Sequence, residues 1–504
     1  MRENIELKVG EQSPPVGFII GLMLLVTLEV IDTTVVNIIL PHLKGSFGAT
    51  SDQITWSISS YMVATAIVMP LTGYLVRKFG QSEVLICGAV FFIIASVLCG
   101  ISNSLEIMVF FRILQGGFGA VLIPISQALL LNKFPKTKRN QIMAFWGIAL
   151  MVGPLIGPIL GGLITDSLSW RWVFFINLPI GLVAIALIIK ELEFNGSVES
   201  YRTDWFGMLF LAIFLGCLQM TLDQGHSKGW LESDTIIILI FFSIIAGCIF
   251  IYHCLNNEDP IIRVYLFKDL NFLIGNVIMA GYGMAMYAVI VLLPIAVQEV
   301  FNYPVLNAGF ILTPRAIISA LLLWFLTKMY ASYFNDRWSI IIGLIFSIIG
   351  CYQMSRYSLN TDAIGFILPG MIMGVGMAFV WSRLSVITVE TIEEKNSSDA
   401  TGLFNLMRTM GGSVGVSICS SYLVIREQIH WNQLSQFVSN QNPIFSSLMF
   451  PDKIAASSSN GLTLLSIEFE RQVQIAAYND TFLFICIIFL FMIPLSLLFN
   501  KRSK

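Results

Sequence analysis

The stretch GIALMVGPLIGPILGG, from Gly147 to Gly162, decides how this chain folds. It is apolar and as long as a helix, yet seven of its sixteen positions are glycine or proline. In water these residues weaken a helix, whereas in a bilayer few structures other than a helix satisfy the backbone polar groups. The stretch is therefore predicted to be a membrane helix.

The glycines and prolines of this helix predict close packing and a bend. Gly153, Gly157 and Gly161 recur at intervals of four and share one face, where a neighbouring helix can approach closely. Pro154 and Pro158 interrupt the backbone hydrogen bonding and bend the helix. A bent and closely packed helix indicates a part of the molecule that moves.

The composition extends the membrane prediction to the whole chain. Of 504 residues, 56% are hydrophobic and only 12% are charged, against about 25% charged in soluble domains. Apolar runs long enough to cross a bilayer lie near 16–41, 53–76, 82–102, 106–132, 140–165, 169–190, 205–224, 233–254, 272–298, 304–329, 337–355, 363–390, 399–424 and 478–500. We predict an all-α integral membrane protein with fourteen transmembrane helices.

Polar connections divide these helices into groups of six, two and six. The prediction is an N-terminal six-helix bundle in 1–190, a connecting segment with two extra helices in 191–270, and a C-terminal six-helix bundle in 271–504. A long outer loop is predicted at about 425–477. Basic residues cluster in alternate connections, for example Arg77 and Lys78, so both termini are predicted to be cytoplasmic.

Ionisable residues at membrane depth are the strongest functional signal. Each costs about 2.5–3.5 kcal/mol on insertion scales, yet the first helix holds Glu29 and Asp32 and the fourth holds Arg112. A carboxylate beside an arginine in a low dielectric can load and release protons. The alternative is a permanent buried salt bridge that only sets helix register.

Aromatic, sulfur-containing and amide side chains are candidates for a substrate cavity. We predict this role for Tyr282, Tyr287, Met373, Asn37, Gln115 and Asn405. For any one of them, packing in the protein core is the alternative. The four histidines lack metal-ligand spacing and no GxxxxGK[ST] string occurs, so neither a metal site nor ATP hydrolysis is expected.

Six strings occur in order along the chain: LEVIDTTVVNIILP (Leu28–Pro41), FRILQGGFGA (Phe111–Ala120), the stretch 147–162, WRWVFFINLPIG (Trp170–Gly181), LPIAVQEVFNYPVLNAGFILTPRA (Leu293–Ala316) and LFNLMRTMGGSVG (Leu403–Gly415). In these strings the chain resembles the fourteen-helix drug:proton antiporters of the major facilitator superfamily, particularly the EmrB/QacA group. One motif departs from the pattern. In GYLVRKFG, from Gly73 to Gly80, Arg77 stands where the superfamily usually has aspartate, so a cytoplasmic latch lacks that residue, although both glycines can still form the turn.

The resemblance implies the major facilitator fold and a proton-coupled exporter of lipophilic drugs or toxic compounds in the bacterial cytoplasmic (inner) membrane. Asp32 would be the proton site, with Glu29 beside it and Arg112 as its modulator, and the glycine-rich helix would lie between the bundles. A proton gradient would be the energy source, without a cofactor. Expected partners are lipophilic substrates, protons and membrane lipid, with no nucleic acid. In cells with two membranes, a periplasmic adaptor (membrane fusion) protein and an outer-membrane channel would join them.

Two other functions remain open. A dedicated exporter of one metabolite, lipid or siderophore would use the same fold and coupling. A membrane enzyme should show clustered His, Asp, Ser or Cys at one membrane face, and a transporter-derived sensor should carry a soluble domain. The sequence offers neither signal, so export is the preferred interpretation.

Overall fold

The computed structural model describes residues 15–49, 51–135, 138–194, 204–225, 228–257, 260–329, 336–393, 396–437 and 459–499. Within these ranges the chain forms fourteen long helical units and no strand. They are α1 (Val16–Phe47), α2 (Trp56–Phe79), α3 (Gln81–Gly100), α4 (Leu105–Lys133), α5 (Arg139–Ser167), α6 (Trp172–Glu191), α7 (Trp205–Gly225), α8 (Asp234–Asn256), α9 (Leu270–Val300), α10 (Val305–Met329), α11 (Asp336–Met354), α12 (Ala363–Ile387), α13 (Ser397–Ser435) and α14 (Ser459–Leu497). The predicted all-α class is confirmed.

The outer surface of the helices is apolar. Among the described residues, twelve helical stretches are long and apolar enough to cross a membrane. Large side chains that a soluble protein would bury are exposed, such as Phe241 of α8 at 59% and Phe491 of α14 at 70%. These side chains face lipid, and the chain is a multi-pass membrane protein.

Helix contacts follow the order of the chain. In the first half α1 packs on α5 and α6, and α4 packs on α2 and α3; in the second half α9 packs on α13, and α12 packs on α10 and α11. The halves meet where α5 touches α10 and α12 and where α13 touches α2 and α4. The predicted domain boundaries near 190 and 270 stay a prediction, because residues 195–203 lie outside the described ranges.

The two extra helices lie beside one boundary between the halves. They pack on each other, and α7 also lies against α2 of the first half and α13 of the second. Gln219 Nε2 of α7 donates to Ser413 Oγ of α13 at 3.0 Å, and Ser417 Oγ donates to the carbonyl oxygen of Leu222 at 2.7 Å. Helix α7 is therefore bonded to the second half while packed on the first.

Helices α13 and α14 extend beyond the membrane. Each has 39 residues and is about 58 Å long at roughly 1.5 Å per residue, whereas the hydrocarbon core of a bilayer is about 30 Å thick. They reach into the predicted outer loop at 425–477, since α13 ends at Ser435 and α14 begins at Ser459. Both ends of that loop are thus helical, contrary to the prediction, and residues 438–458 lie outside the described ranges.

We call residues 425–437 and 459–480 the outer hairpin. Its two helices are joined by an ion pair between Arg426 Nη2 and Asp480 Oδ2 at 2.6 Å, and by His430 Nε2, which also lies 2.6 Å from that oxygen. The rings of Trp431 and Phe469 meet edge to face at 4.8 Å. These contacts hold the hairpin together outside the hydrocarbon core.

A crowded carboxyl group lies at the base of the outer hairpin. Burial raises the pKa of Glu427 above its ordinary value, and the carboxylates of Glu470 and Glu299 raise it further. A raised pKa means that the folded protein favours the neutral acid. The neutral Glu427 acid therefore contributes to the stability of the folded protein at low pH, and this contribution is lost as the pH rises through the raised pKa.

The glycines of α5 bring it against α1. A Cβ atom on Gly153 would come within 2.5 Å of Val30, and one on Gly157 would collide with the side chain of Thr34. Thr34 Oγ1 in turn lies 3.5 Å from the carbonyl oxygen of Gly153. The predicted close packing is present, but its partner is α1 of the same half and not a helix of the other half.

The remaining residues of the stretch are placed unequally. Gly161 is buried, whereas a Cβ atom on Gly162 would meet nothing within 4 Å. The side chains of Pro154 and Pro158 lie outside the described residues, so the predicted bend stays a prediction. Contact with the second half is instead made by Gly147, on which a Cβ atom would come within 2.6 Å of the Trp381 ring.

Replacing Gly157 with leucine should force α1 and α5 apart. We expect the free energy of unfolding to fall by about 1–3 kcal/mol, the usual cost of overpacking, and transport to slow strongly. Gly162→Leu is the matched control and should leave both quantities nearly unchanged, because its site is open. Thermal unfolding in detergent and transport in vesicles measure the two effects; equal behaviour of the two variants would contradict the packing argument.

Candidate functional site

The carboxylate of Asp32 is the centre of a buried hydrogen-bond network. Its side chain is 2% exposed, and Arg112 Nη1 donates to its Oδ2 at 2.5 Å. Gln115 Nε2 and Asn177 Nδ2 donate to its Oδ1 at 2.8 and 3.1 Å. The predicted neighbours Asp32 and Arg112 are therefore in contact, and Gln115 belongs to this network.

The guanidinium of Arg112 is held on several sides. Its Nε donates to the carbonyl oxygen of Ser57 at 2.9 Å, and Nη1 also donates to Gln115 Oε1 at 2.9 Å. The ring of Tyr61 lies 4.1 Å from the guanidinium carbon, within cation–π distance. Arg112 is 1% exposed, so this positive charge depends on protein groups for its stabilisation.

The amide of Asn177 is held in turn by Ser96. Its Nδ2 donates to Ser96 Oγ at 2.8 Å, and Ser96 Oγ donates to the carbonyl oxygen of Phe174 at 2.9 Å. Sequence reasoning missed Asn177, Ser96 and Tyr61. The available signal was a lone asparagine inside the apolar string WRWVFFINLPIG.

This arrangement suits reversible protonation. Ionised Asp32 accepts bonds from three side chains, whereas the neutral acid would leave Arg112 without its counter-charge. Gain or loss of one proton therefore changes the forces among α1, α4 and α6. The roles of Asp32 and Arg112 in proton coupling stay predictions, and a permanent salt bridge remains the alternative.

Glu29 lies on α1 three residues before Asp32 and has charged neighbours in both halves. Its side chain is buried, at 4% exposure, and it interacts electrostatically with Arg408 of α13 as well as with Asp32. The two acidic residues of α1 thus connect the proton-site network to the second half.

A cavity lies between α5 and the second half. It is lined by Leu150, Met279, Tyr282, Gly283, Met286, Tyr287, Ile290, Arg315, Ala316, Met377, Trp381 and Arg408. Its volume of about 60 Å³ has room for roughly four water molecules, each needing about 10–15 Å³. As it stands in this structure, the cavity is therefore too small for a drug-sized molecule.

Two of the predicted cavity residues line this cavity and three others do not. Tyr282 and Tyr287 are at its wall. Met373 is fully buried away from it, and Asn405 Nδ2 donates to Gln127 Oε1 of α4 at 2.6 Å, which joins the halves. Gln115 belongs to the Asp32 network, and the side chain of Asn37 lies outside the described residues.

The end of the molecule that carries Arg77, which we call the inner end, is closed by an ion pair between the halves. Arg77 Nη1 donates to Asp399 Oδ2 of α13, and Arg77 Nη2 donates to the carbonyl oxygen of Ile261 at 3.3 Å. Asp399 is 2% exposed. The basic residue that replaces the usual aspartate therefore makes its own contact across the boundary, with an acid on the opposite side.

The two glycines of this motif have different functions. Gly80 has a φ of +94°, a backbone angle that favours glycine, and it ends α2 at the turn into α3. Gly73 lies within α2, where a Cβ atom would collide with the Asp399 carboxylate. Gly80 therefore forms the turn, whereas Gly73 makes room for Asp399.

Residues 22–416 match the family model of the Major Facilitator Superfamily. The chain belongs to the major facilitator superfamily. The multidrug export protein EmrB of Escherichia coli K12 is 35% identical over 427 residues, 84% of this chain and 83% of that protein. EmrB of Haemophilus influenzae is 32% identical over 469 residues, 92% and 91% of the two chains. The human organic anion transporter MFSD10 has the same fold, with a TM-score of 0.60 at 13% identity over 95% of this chain and 100% of that chain.

These comparisons confirm the superfamily that the six strings predicted. The fold class predicted for such a transporter, two six-helix bundles with two additional helices, is confirmed with it. The superfamily is one of transporters, so the chain is a membrane transporter.

Neutralising the inner ion pair should open the inner end of this facilitator-superfamily transporter. We expect Arg77→Gln to favour the open form by about 1.5–3 kcal/mol, the usual contribution of a hydrogen bond to a charged group. Asp399→Asn should act alike, and the double variant should add little to either. Labelling of a cysteine at position 401, where Thr401 is fully buried between α13 and α4, reports opening. Lys133→Gln, whose Nζ bonds within the first half, is the control; additive effects would contradict a direct pair.

Proposed function

We propose that this chain is a proton-coupled antiporter that exports lipophilic drugs or toxic compounds by alternating access. The observation that carries the proposal is the Asp32 network, a buried carboxylate and arginine that protonation would unbalance. The names of the EmrB relatives support multidrug export as the transport task. Each proton that moves inward releases about 2.3 kcal/mol of free energy per 100 mV of membrane potential. A proton gradient therefore suffices as the energy source without a cofactor.

The contacts between the halves suggest how access alternates. The Arg77–Asp399 pair closes the inner end, and the small cavity is enclosed by α5 and the second half. Opening inward requires that pair to separate. Protonation of Asp32 weakens its attraction to Arg112 and shifts α1, which packs on α5 through Gly157. Helix α5 then transmits the change to α10 and α12, its contacts in the second half.

We place the protein in the bacterial cytoplasmic (inner) membrane with both termini in the cytoplasm. Basic residues in alternate connections support this orientation. The bacterial sources of the EmrB relatives support the membrane.

Efflux from vesicles that contain only this protein tests the function. A panel of lipophilic cations and anions should leave the vesicles when a proton gradient is imposed, and an uncoupler should stop the efflux. Asp32→Asn should reduce efflux to the rate measured with the uncoupler, while the protein remains in the membrane. Glu106→Gln, an exposed acid at the start of α4, should transport normally. Full gradient-driven transport by Asp32→Asn would remove Asp32 from the mechanism.

The same panel separates the remaining alternative. A dedicated exporter of one metabolite, lipid or siderophore would transport one compound and ignore the rest. A membrane enzyme or sensor is disfavoured, because the chain belongs to a superfamily of transporters.

We also propose that the outer hairpin binds a periplasmic adaptor protein that leads to an outer-membrane channel. The hairpin extends past the hydrocarbon core and exposes apolar side chains, Phe437 at 64% and Ile467 at 50%. Phe437→Glu with Ile467→Glu should lower export from cells with two membranes several-fold. Transport in vesicles without a partner should not change; equal loss in both settings would contradict a docking role.

A further inference from the structure

The cavity between α5 and the second half carries positive charge without acidic residues. Arg315 of α10 and Arg408 of α13 are among its lining residues, and no carboxylate lines it. The helical stretches Leu270–Ile295, Val305–Met329 and Ala363–Ile387 contain no Asp or Glu at all. The surroundings of Arg315 within these helices therefore lack a counter-charge.

Several donors at this cavity have no acceptor. Arg315 Nη1, Arg408 Nε and Trp381 Nε1 are buried without a hydrogen-bond partner among the described residues. Among the described residues, Arg408 Nη1 donates a long bond to Tyr287 Oη at 3.3 Å, and Arg408 interacts electrostatically with Glu29. Buried donors without acceptors are rare, and each costs free energy comparable to a lost hydrogen bond. An anionic acceptor would satisfy these groups.

Arg112 in the first half is a buried arginine whose donors have hydrogen-bond acceptors. Arg112 has a carboxylate, an amide oxygen and a backbone carbonyl as acceptors. Arg315 also lies at membrane depth, but among the described residues its Nη1 has none of these acceptors. This difference indicates that Arg315 serves a binding site, whereas Arg112 forms a salt bridge.

The rest of the cavity wall is apolar. Methionine and aliphatic residues line it, and the Trp381 ring stacks on Trp146 of α5 with centroids 6.1 Å apart. Methionine adapts to different apolar shapes, and aromatic rings offer broad contact area. A ligand that suits both features has a compact negative group and an apolar body.

We propose, on the basis of the export function above, that this cavity binds the anionic group of lipophilic carboxylic acids. Arg315 is the counter-charge and Arg408 a second donor, while the methionine and tryptophan side chains contact the apolar body. In this structure the cavity of about 60 Å³ holds little more than the carboxylate and water. The body enters when α5 moves away from the second half. A lipophilic cation would meet the like charge of Arg315, which no acid among the lining residues offsets, so the site selects against it.

Binding without a proton gradient tests the assignment. Protein in lipid nanodiscs is titrated by calorimetry with 2-naphthoate, with the neutral 2-naphthamide and with 2-naphthyltrimethylammonium. Naphthoate should bind at least tenfold more tightly than the amide, and the cation most weakly. Arg315→Gln should weaken naphthoate binding roughly 10- to 100-fold, as expected for the loss of hydrogen bonds to a charged group, and leave amide binding within about twofold.

Two further variants serve as controls, one at Arg315 and one at the protein surface. Arg315→Lys retains the charge but not the fork of donors, and it should retain part of the preference for naphthoate. Arg356→Gln, at the exposed end of α11, should behave like the unmodified protein. If Arg315→Gln does not fold, the ranking of the three probes by the unmodified protein and by Arg315→Lys still decides.

Three results would overturn the proposal: amide or cation binding as tight as naphthoate, an intact preference in Arg315→Gln, or acetate binding as tightly as naphthoate. The last would indicate a site for small anions of any kind. Because no gradient is used, a carboxylate preference without proton-driven export would overturn the proposed function alone. Export without that preference would overturn this inference alone.

Discussion

The negative charge of Asp32 has to be compensated inside the membrane, and the groups that do so come from across the first half. Arg112 and Gln115 belong to α4, and Asn177 belongs to α6, while α2 supplies a carbonyl oxygen to the arginine. Removing one partner of a buried ion pair typically costs about 3–5 kcal/mol. The positions of these helices are therefore tied to one charge, and a change in its protonation acts on all of them.

Both halves use glycine for their closest helix contacts. Gly157 of α5 meets α1, and Gly415 of α13 meets the backbone of α9 in the same way; Gly116 of α4 meets α2, and Gly374 of α12 meets the backbone of α10 at Arg315. The scaffold is repeated, but its chemistry is not. The first half pairs an acid with an arginine, whereas the second half has an arginine facing a cavity.

Fold class, helix number and the Asp32–Arg112 contact followed from the sequence, because apolar length and isolated charges are local signals. The partners of Gly153, Met373 and Asn405 did not, since a helical position does not reveal which neighbour its face meets. Arg77 shows the same limit: its acid lies 322 residues away. The outer loop was misjudged because polar residues suit both a loop and a helix that has left the bilayer.

Helix α7 makes the two boundaries between the halves unequal. One boundary, between α2 and α13, has α7 along it, bonded through Gln219 to Ser413. The other is formed by α5 with α10 and α12. A molecule dissolved in the lipid therefore meets α7 at one boundary and the glycine-containing α5 at the other. Lateral entry into this transporter is not equivalent from its two sides.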